Sequence, residues 1–256
     1  MIKKLKNLYH FLSQIEDIKD LFILKKTPLQ SFLYEHYKHN RAGHWGKEYR
    51  ELRMRRIHKV LEICGTDFNG KRILDLGGGL GDTGAFFSEL GAEVTIADGR
   101  QENLNIAKLR FPKLITKKID AESNFVHLGY FDIILCFAFF EVIRNIENVA
   151  DCMKKITNTI FLETTITDSS QCSNFHYAMT GDKNDDALYE IGSFPTSSYI
   201  ENMFRDWNIK IHKEELTTEN DSFDWIEKSD NAHKRNGKFL RRFWEIKKYV
   251  QKKELL

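Results

Sequence analysis

The sequence has little cysteine and sets none of it in pairs. Cys64, Cys136, Cys152 and Cys172 are widely separated, and neither a Cys-x-x-Cys pair nor a histidine cluster at zinc-ligand spacing occurs. This excludes a zinc module and a disulfide framework, and predicts reduced thiols and no metal site. Long hydrophobic runs are also missing. The dense apolar stretch near the N-terminus is only Leu21-Phe22-Ile23-Leu24, and Glu16, Asp17, Lys19 and Asp20 precede it. Such a segment is neither a signal peptide nor a membrane span, so a cytoplasmic protein is expected. There is no long polar tract and no internal repeat, which argues against extensive disorder and against a solenoid. An overall charge excess is absent too, the formal net charge being +2. The ends nonetheless carry it unevenly: residues 1–60 hold 14 Lys and Arg against six Asp and Glu, and residues 228–256 hold ten against three. Basic ends suit a phosphate-bearing partner or simply solvated helix faces.

What is present is a hydrophobic fraction of 41% in 256 residues, enough for one large α/β core with appended helices. Ile2, Leu5, Leu8, Leu12, Ile15 and Ile18 recur at helical spacing. Thr27-Pro28 starts a second helix through about Tyr37, and Arg41-Ala42-Gly43-His44 ends it. A basic third helix follows from about Lys47 to Ile63, with Leu52, Ile57, Val60 and Leu61 as its buried stripe. These three form an expected helical cap over residues 1–66. From residue 67 onward the pattern changes to short strands with helices between them. The strands are read at Arg72–Leu76, Glu93–Ala97, Leu114–Thr116, Phe131–Leu135 and Thr159–Leu162, which predicts a parallel sheet covered on both faces. A polar stretch near 164–195 reads as an insertion beside the site. A helix at Thr196–Arg205 and strands at Trp207–His212 and Phe239–Ile246 complete the chain.

The most specific segment is Ile73-Leu74-Asp75-Leu76-Gly77-Gly78-Gly79-Leu80-Gly81-Asp82-Thr83, a strand running through glycines into a helix. Glycine is needed where backbone turns sharply and approaches a ligand. Gly79-x-Gly81-x-x-Gly84 also fits a dinucleotide fingerprint, so the glycines alone leave a nicotinamide cofactor open. Asp75 favours a ligand that carries an ammonium group, since a pyrophosphate would be repelled there. Asp98, at the end of the second strand, is placed to accept hydrogen bonds from both hydroxyls of a ribose.

Asp75, Gly77, Gly79 and Gly81 resemble the Asp/Glu-x-Gly-x-Gly-x-Gly motif of class I S-adenosylmethionine-dependent methyltransferases. The resemblance implies a Rossmann-like seven-stranded sheet and S-adenosyl-L-methionine as cofactor. It places Asp75, Gly77, Gly79, Gly81, Asp98, Asp120, Ala121 and Cys136 at that cofactor, with Asp120 against the adenine amine. Glu141-Val142-Ile143-Arg144-Asn145 stands where relatives often carry a Leu-Glu-His-Leu-like segment, here without the histidine. No Asn/Asp-Pro-Pro-Tyr/Phe motif follows the fourth strand, which favours an oxygen acceptor over a nucleobase amine. Ile191–Pro195, Phe223–Trp225 and Leu240–Trp244 are similar to the C-terminal halves of bacterial methyltransferases linked with surface polysaccharides. That similarity implies a small sugar- or phosphate-bearing acceptor, including phosphoramidate precursors, in capsule or surface-glycan synthesis. An RNA methyltransferase that grips phosphates with its basic ends is the alternative, although no recognised RNA-binding module accompanies the domain. Assembly as a homodimer is compatible with either.

For a hydroxyl acceptor a base is useful. His176, in the polar insertion, is the expected base, with Glu163 at the end of the fifth strand as second choice. Arg41, His44 and Trp45, in the joint between cap helices, and Arg241, in the last strand, are expected to bind the acceptor. Arg241 and Arg242 are neighbours in a strand, so at most one of them faces the site.

Overall fold

The computed structural model describes residues 47–178, 188–212, 227–235 and 237–249. The first two cap helices, and with them Arg41, His44 and Trp45, lie outside these residues. The third helix, α1, runs Lys47–Cys64, close to its expected bounds.

Seven strands form the central sheet: β1 (Arg72–Leu76), β2 (Glu93–Asp98), β3 (Ile115–Lys118), β4 (Ile133–Phe137), β5 (Thr159–Thr165), β8 (Trp207–Ile211) and β11 (Arg241–Lys248). Their order across the sheet is β3-β2-β1-β4-β5-β11-β8. The first five are mutually parallel, while β11 runs antiparallel to both β5 and β8. This is the expected Rossmann-like arrangement. The order reverses between β1 and β4, so a crevice opens at the carboxyl ends of those strands.

Alternation along the strands divides the core into two layers. Ile73 of β1, Leu135 of β4, Phe161 of β5 and Phe243 of β11 pack with Ile57 and Val60 of α1, with Phe86 and Phe87 of α2 (Asp82–Glu89) and with Leu104 of α3 (Gln101–Arg110). Leu74, Ile134, Cys136, Leu162 and Trp244 face the other way, onto α4 (Ile146–Ile156) and α5 (Ser197–Met203). Burial on both faces explains why β4 reads as an unbroken apolar run. Asn145 and Thr196 cap α4 and α5 by accepting from the amides of Asn148 and Tyr199.

α1 packs directly on the sheet. Ile57 and Val60 are fully buried, whereas Leu52 and Leu61 are only half-buried. Arg53 and Arg56 share the inner face at i, i+3 spacing and are buried as well. The expected insertion contains an antiparallel hairpin of β6 (Asn174–Ala178) and β7 (Ile191–Pro195). A small second hairpin, β9 (Lys234–Arg235) with β10 (Lys238–Phe239), precedes β11. Asp168 holds the chain before it, accepting from the amides of Lys228 and Ser229 and pairing with Arg235. All four cysteines are free thiols. Among the described residues, no helix is long and apolar enough to cross a membrane, and no cluster of side chains is arranged to hold a metal.

Candidate active site

The glycine loop fills the space between β1 and α2. Gly77, Gly79 and Gly81 have φ of +72°, +53° and +85°, the left-handed region that costs an L side chain energy. Gly77 is constrained twice, because a β-carbon there would lie 2.2 Å from the Phe139 ring. The loop is pinned at both ends: Gly77 N–H donates to the Ala97 carbonyl at 2.8 Å, and Gly79 N–H donates to Asp98 Oδ2 at 3.1 Å. Asp98 Oδ1 accepts from the amide of Arg100 at 2.8 Å and from Asn103 Nδ2 at 3.2 Å. The carboxylate therefore ties the loop to the start of α3 while it lines the cleft.

Gly77, Gly79, Asp98 and Asn103 give one side of this cleft its polar lining, and Ile119, Ala121, Val142 and Ile143 give it apolar surface. Phe137, Ala138 and Phe139 complete the wall at the end of β4. Ala138 has φ +51°, uncommon for a residue with a β-carbon. Its N–H donates to the Glu163 carbonyl at 2.8 Å, which helps hold the turn in that conformation. Asp120 stands between Ile119 and Ala121, and its carboxylate is engaged in the turn. It accepts from the amide of Glu122 at 3.0 Å, from Ser123 Oγ at 3.2 Å and from Tyr189 Oη at 2.5 Å.

A second hollow continues past Gly77, Gly79 and Phe137, bounded by Arg53, Arg56, Asp75 and Asp82. Asp75 is 3% exposed, and its Oδ2 has no hydrogen-bond partner among the described residues. Burial pushes its carboxyl up to about 7, with the Gly84 amide pulling the other way. Burial also acts to raise Asp82, but the neighbouring Arg110 and Arg53 bring it below the usual carboxylate range. Arg110 pairs with Asp82 at 2.6 Å and Arg53 at 3.7 Å. A buried carboxylate with one oxygen unpartnered among the described residues, and guanidinium groups nearby, suit the two charges of an amino-acid head group. The Asp98 carboxylate in the cleft lining and the apolar wall suit a nucleoside. Together these features fit an adenosyl amino acid better than a pyrophosphate.

Several expected site residues have other engagements. Glu163 is fully buried, paired with Arg56 at 2.7 Å and with Arg241 Nε. Arg241 also donates to Glu141 Oε2 at 2.8 Å and to Thr165 Oγ1 at 2.9 Å. Burial would raise the Glu141 carboxyl, but Arg241 and the Thr165 donors hold it low. Burial would lower the Arg241 guanidinium, yet Glu141 and Glu163 raise it. These pairings correct two expectations: a carboxylate clamped between two arginines is a poor base, and an arginine committed to two carboxylates is a poor acceptor clamp. Arg242 does face the opposite way, donating to Ser197 and Glu227 at 2.6 and 2.8 Å. Cys136 is also corrected: its side chain is wholly buried in the layer under α4, and the neighbouring Phe137 lines the cleft instead. Burial raises that thiol well above its ordinary value.

His176 is exposed on β6, with Nδ1 3.4 Å from Ser193 Oγ. Ser193 in turn donates to the Ile143 carbonyl at 2.7 Å, so the imidazole stands one residue back from the cleft wall. Arg53, Arg56, Phe139 and Leu188 line the two hollows without having been expected there. Only the helical spacing of Arg53 and Arg56 with Ile57 and Val60 carried a signal for any of them.

Residues 37–214 match the family model described as "Methyltransferase domain". No curated protein matches the sequence. Among solved structures, the N-terminal domain of EvdMO1, determined in the presence of SAH and D-fucose, superposes with a TM-score of 0.56 at 19% identity, over 77% of this chain and 83% of that one. Magnesium protoporphyrin IX methyltransferase from Synechocystis PCC 6803, with bound SAH, gives 0.53 at 10% identity over 78% and 84%. The YcgJ protein of Bacillus subtilis gives 0.51 at 14% identity over 77% and 100%. At these identities the superpositions speak for the fold, and the family model for the class. The chain belongs to the methyltransferase-domain family and is an S-adenosylmethionine-dependent methyltransferase.

Proposed function

We propose that this enzyme is an O-methyltransferase acting in the cytoplasm on a small carbohydrate, or on a phosphorylated or phosphoramidate precursor, in bacterial capsule or surface-glycan synthesis. The observation that carries the choice of oxygen is the chain after β4. It reads Phe137-Ala138-Phe139-Phe140-Glu141, which lacks the Asn/Asp-Pro-Pro-Tyr/Phe set that grips a nucleobase amine. The EvdMO1 domain with the similar fold was crystallised with D-fucose, which supports a sugar-sized acceptor.

In this reading Gly77, Gly79 and Gly81 cradle the cofactor, Asp75 faces its ammonium, Asp98 takes the ribose hydroxyls, and Asp120 and Ala121 lie at the adenine. When bound, the cofactor would supply a sulfonium methyl group, which the acceptor oxygen would take in line as the C–S bond breaks and the neutral thioether leaves. This chain contributes orientation, which accounts for much of the rate in such displacements. His176 removes the hydroxyl proton as the new O–C bond forms. Arg41, His44 and Trp45 are the residues that bind the acceptor in this reading. The test is label transfer from radiolabelled S-adenosylmethionine to a panel of sugars, sugar phosphates, nucleotide sugars and RNA. Incorporation into the sugar panel supports the reading. Incorporation into RNA alone, with binding that weakens steeply as salt rises, overturns it in favour of an RNA methyltransferase.

A further inference from the structure

Leu188–Glu190, the stretch that leads into β7, borders the cleft at Gly99, and none of the roles above uses it. Leu188 is 47% exposed, yet it lines the cleft. Its Cδ1 lies 2.5 Å from the point that a β-carbon on Gly99 would occupy, so the leucine rests directly on the backbone after β2. Tyr189 is similarly exposed, and two contacts hold it. Its hydroxyl donates to Asp120 Oδ2 at 2.5 Å, and the Arg144 guanidinium lies 4.4 Å from its ring centroid. Arg144 is itself fixed by Glu122, with Nη2 3.0 Å from Oε2. Glu190 then takes φ +56°, a conformation that non-glycine residues adopt sparingly and that concentrates at turning points of functional segments.

We infer that Leu188 and Tyr189 form a latch over the nucleoside end of the cleft, with the Tyr189–Asp120 hydrogen bond as its catch and Glu190 as its pivot. The inference rests on the cofactor reading given above. Leu188 supplies apolar cover at the end of the cleft where Ile119 and Ala121 supply the apolar wall, so a purine between them is screened from water. The catch consists of one exposed hydrogen bond and one cation–ring contact, which is weak enough to open and close during ligand exchange. A latch controls how fast a ligand enters and leaves more than how tightly it is held. A segment that merely packs beside the cleft has no such kinetic signature.

The experiment is a chase of bound radiolabelled S-adenosylhomocysteine from the full-length protein, with capture measured in parallel. Tyr189→Phe removes the catch and keeps the ring. Capture and release should both quicken by about three- to tenfold, with Kd changing less than either rate. Gly99→Ala pushes Leu188 off its seat while leaving Tyr189 intact, and should quicken release in the same way. In an Asp120→Ala background, which removes the acceptor, Tyr189→Phe should add nothing further. Wild-type rates in both single variants, or weaker binding carried by slower capture, overturn the latch while leaving the cofactor reading in place. Failure of the wild-type protein to bind S-adenosylhomocysteine overturns the cofactor reading and the latch together.

Discussion

Arg56 on α1 reaches Glu163 at the end of β5 with a nitrogen–oxygen distance of 2.7 Å, and neither side chain has more than a trace of contact with solvent. Together with Arg241, Glu141 and Thr165, the pair fastens α1 and the antiparallel strand β11 to the carboxyl end of the parallel sheet. The network holds the floor of the cleft, because the Glu163 carbonyl also accepts from Ala138.

Removing the shared carboxylate leaves two buried guanidinium groups with less compensation. Glu163→Ala should therefore destabilise the protein by about 3–5 kcal/mol, the scale for breaking a buried ion pair. Denaturant unfolding of wild type and variant measures this. Wild-type stability would contradict the network's role. Acceptor turnover that collapses in Glu163→Gln while stability is kept would restore Glu163 as a base.

Asp75 should make folding and cofactor binding depend on pH in opposite directions. Its carboxyl titrates near 3.8 in the unfolded chain and is pushed up to about 7 by burial in the folded one. Between these values the folded protein retains a proton that the unfolded chain has lost, so this contribution to stability falls as pH rises through that window. Asp75→Asn should thus gain stability relative to wild type on going from pH 4 to pH 8. An ammonium-bearing ligand needs the ionised carboxylate. S-adenosylhomocysteine should therefore bind wild type more weakly as pH falls below 7, approaching about tenfold per unit, and this slope should be lost in Asp75→Asn. Calorimetric titrations at several pH values read the slope, and the same slope in both proteins would remove Asp75 from the ligand's ammonium.

Gly77→Ala meets both a left-handed backbone and the Phe139 ring. Binding of S-adenosylhomocysteine should be lost or severely weakened, whereas Gly65→Ala, also at positive φ but with open space around it, should cost only stability. Equal loss of binding in the two variants would mean that general unfolding, and not the loop, is responsible.

The glycine loop was legible in the sequence because only glycine accepts its conformations cheaply, and β4 because burial on two faces leaves a continuous apolar run. Asp98 was legible as a cleft-lining carboxylate from its position at the end of β2. Arg53 and Arg56 were hidden because charged side chains on a helix ordinarily mark the solvent face, and the pairing of Glu163 with Arg241 because the partners lie 78 residues apart. Cys136 was misplaced by one step of strand alternation, which puts Phe137 at the cleft and the thiol in the core. The β6–β7 hairpin escaped notice because Asn174, Ser193 and Gly192 break the apolar alternation that marks a half-buried strand.

His176→Ala should lower kcat on a hydroxyl acceptor by roughly 10²–10⁴-fold with cofactor affinity near normal. Turnover close to wild type would exclude the imidazole as base and shift attention to acceptors whose oxygen is already anionic.

The most direct measurement is calorimetric titration of the purified full-length protein and of Asp98→Ala with S-adenosylmethionine, S-adenosylhomocysteine, NAD and NADP. Wild type should bind both adenosyl ligands and neither nicotinamide cofactor. Asp98→Ala should lose about 1–3 kcal/mol of that affinity, as expected when charge-assisted hydrogen bonds to the ribose are removed. Tight binding of NAD or NADP with none of either adenosyl ligand would contradict the account.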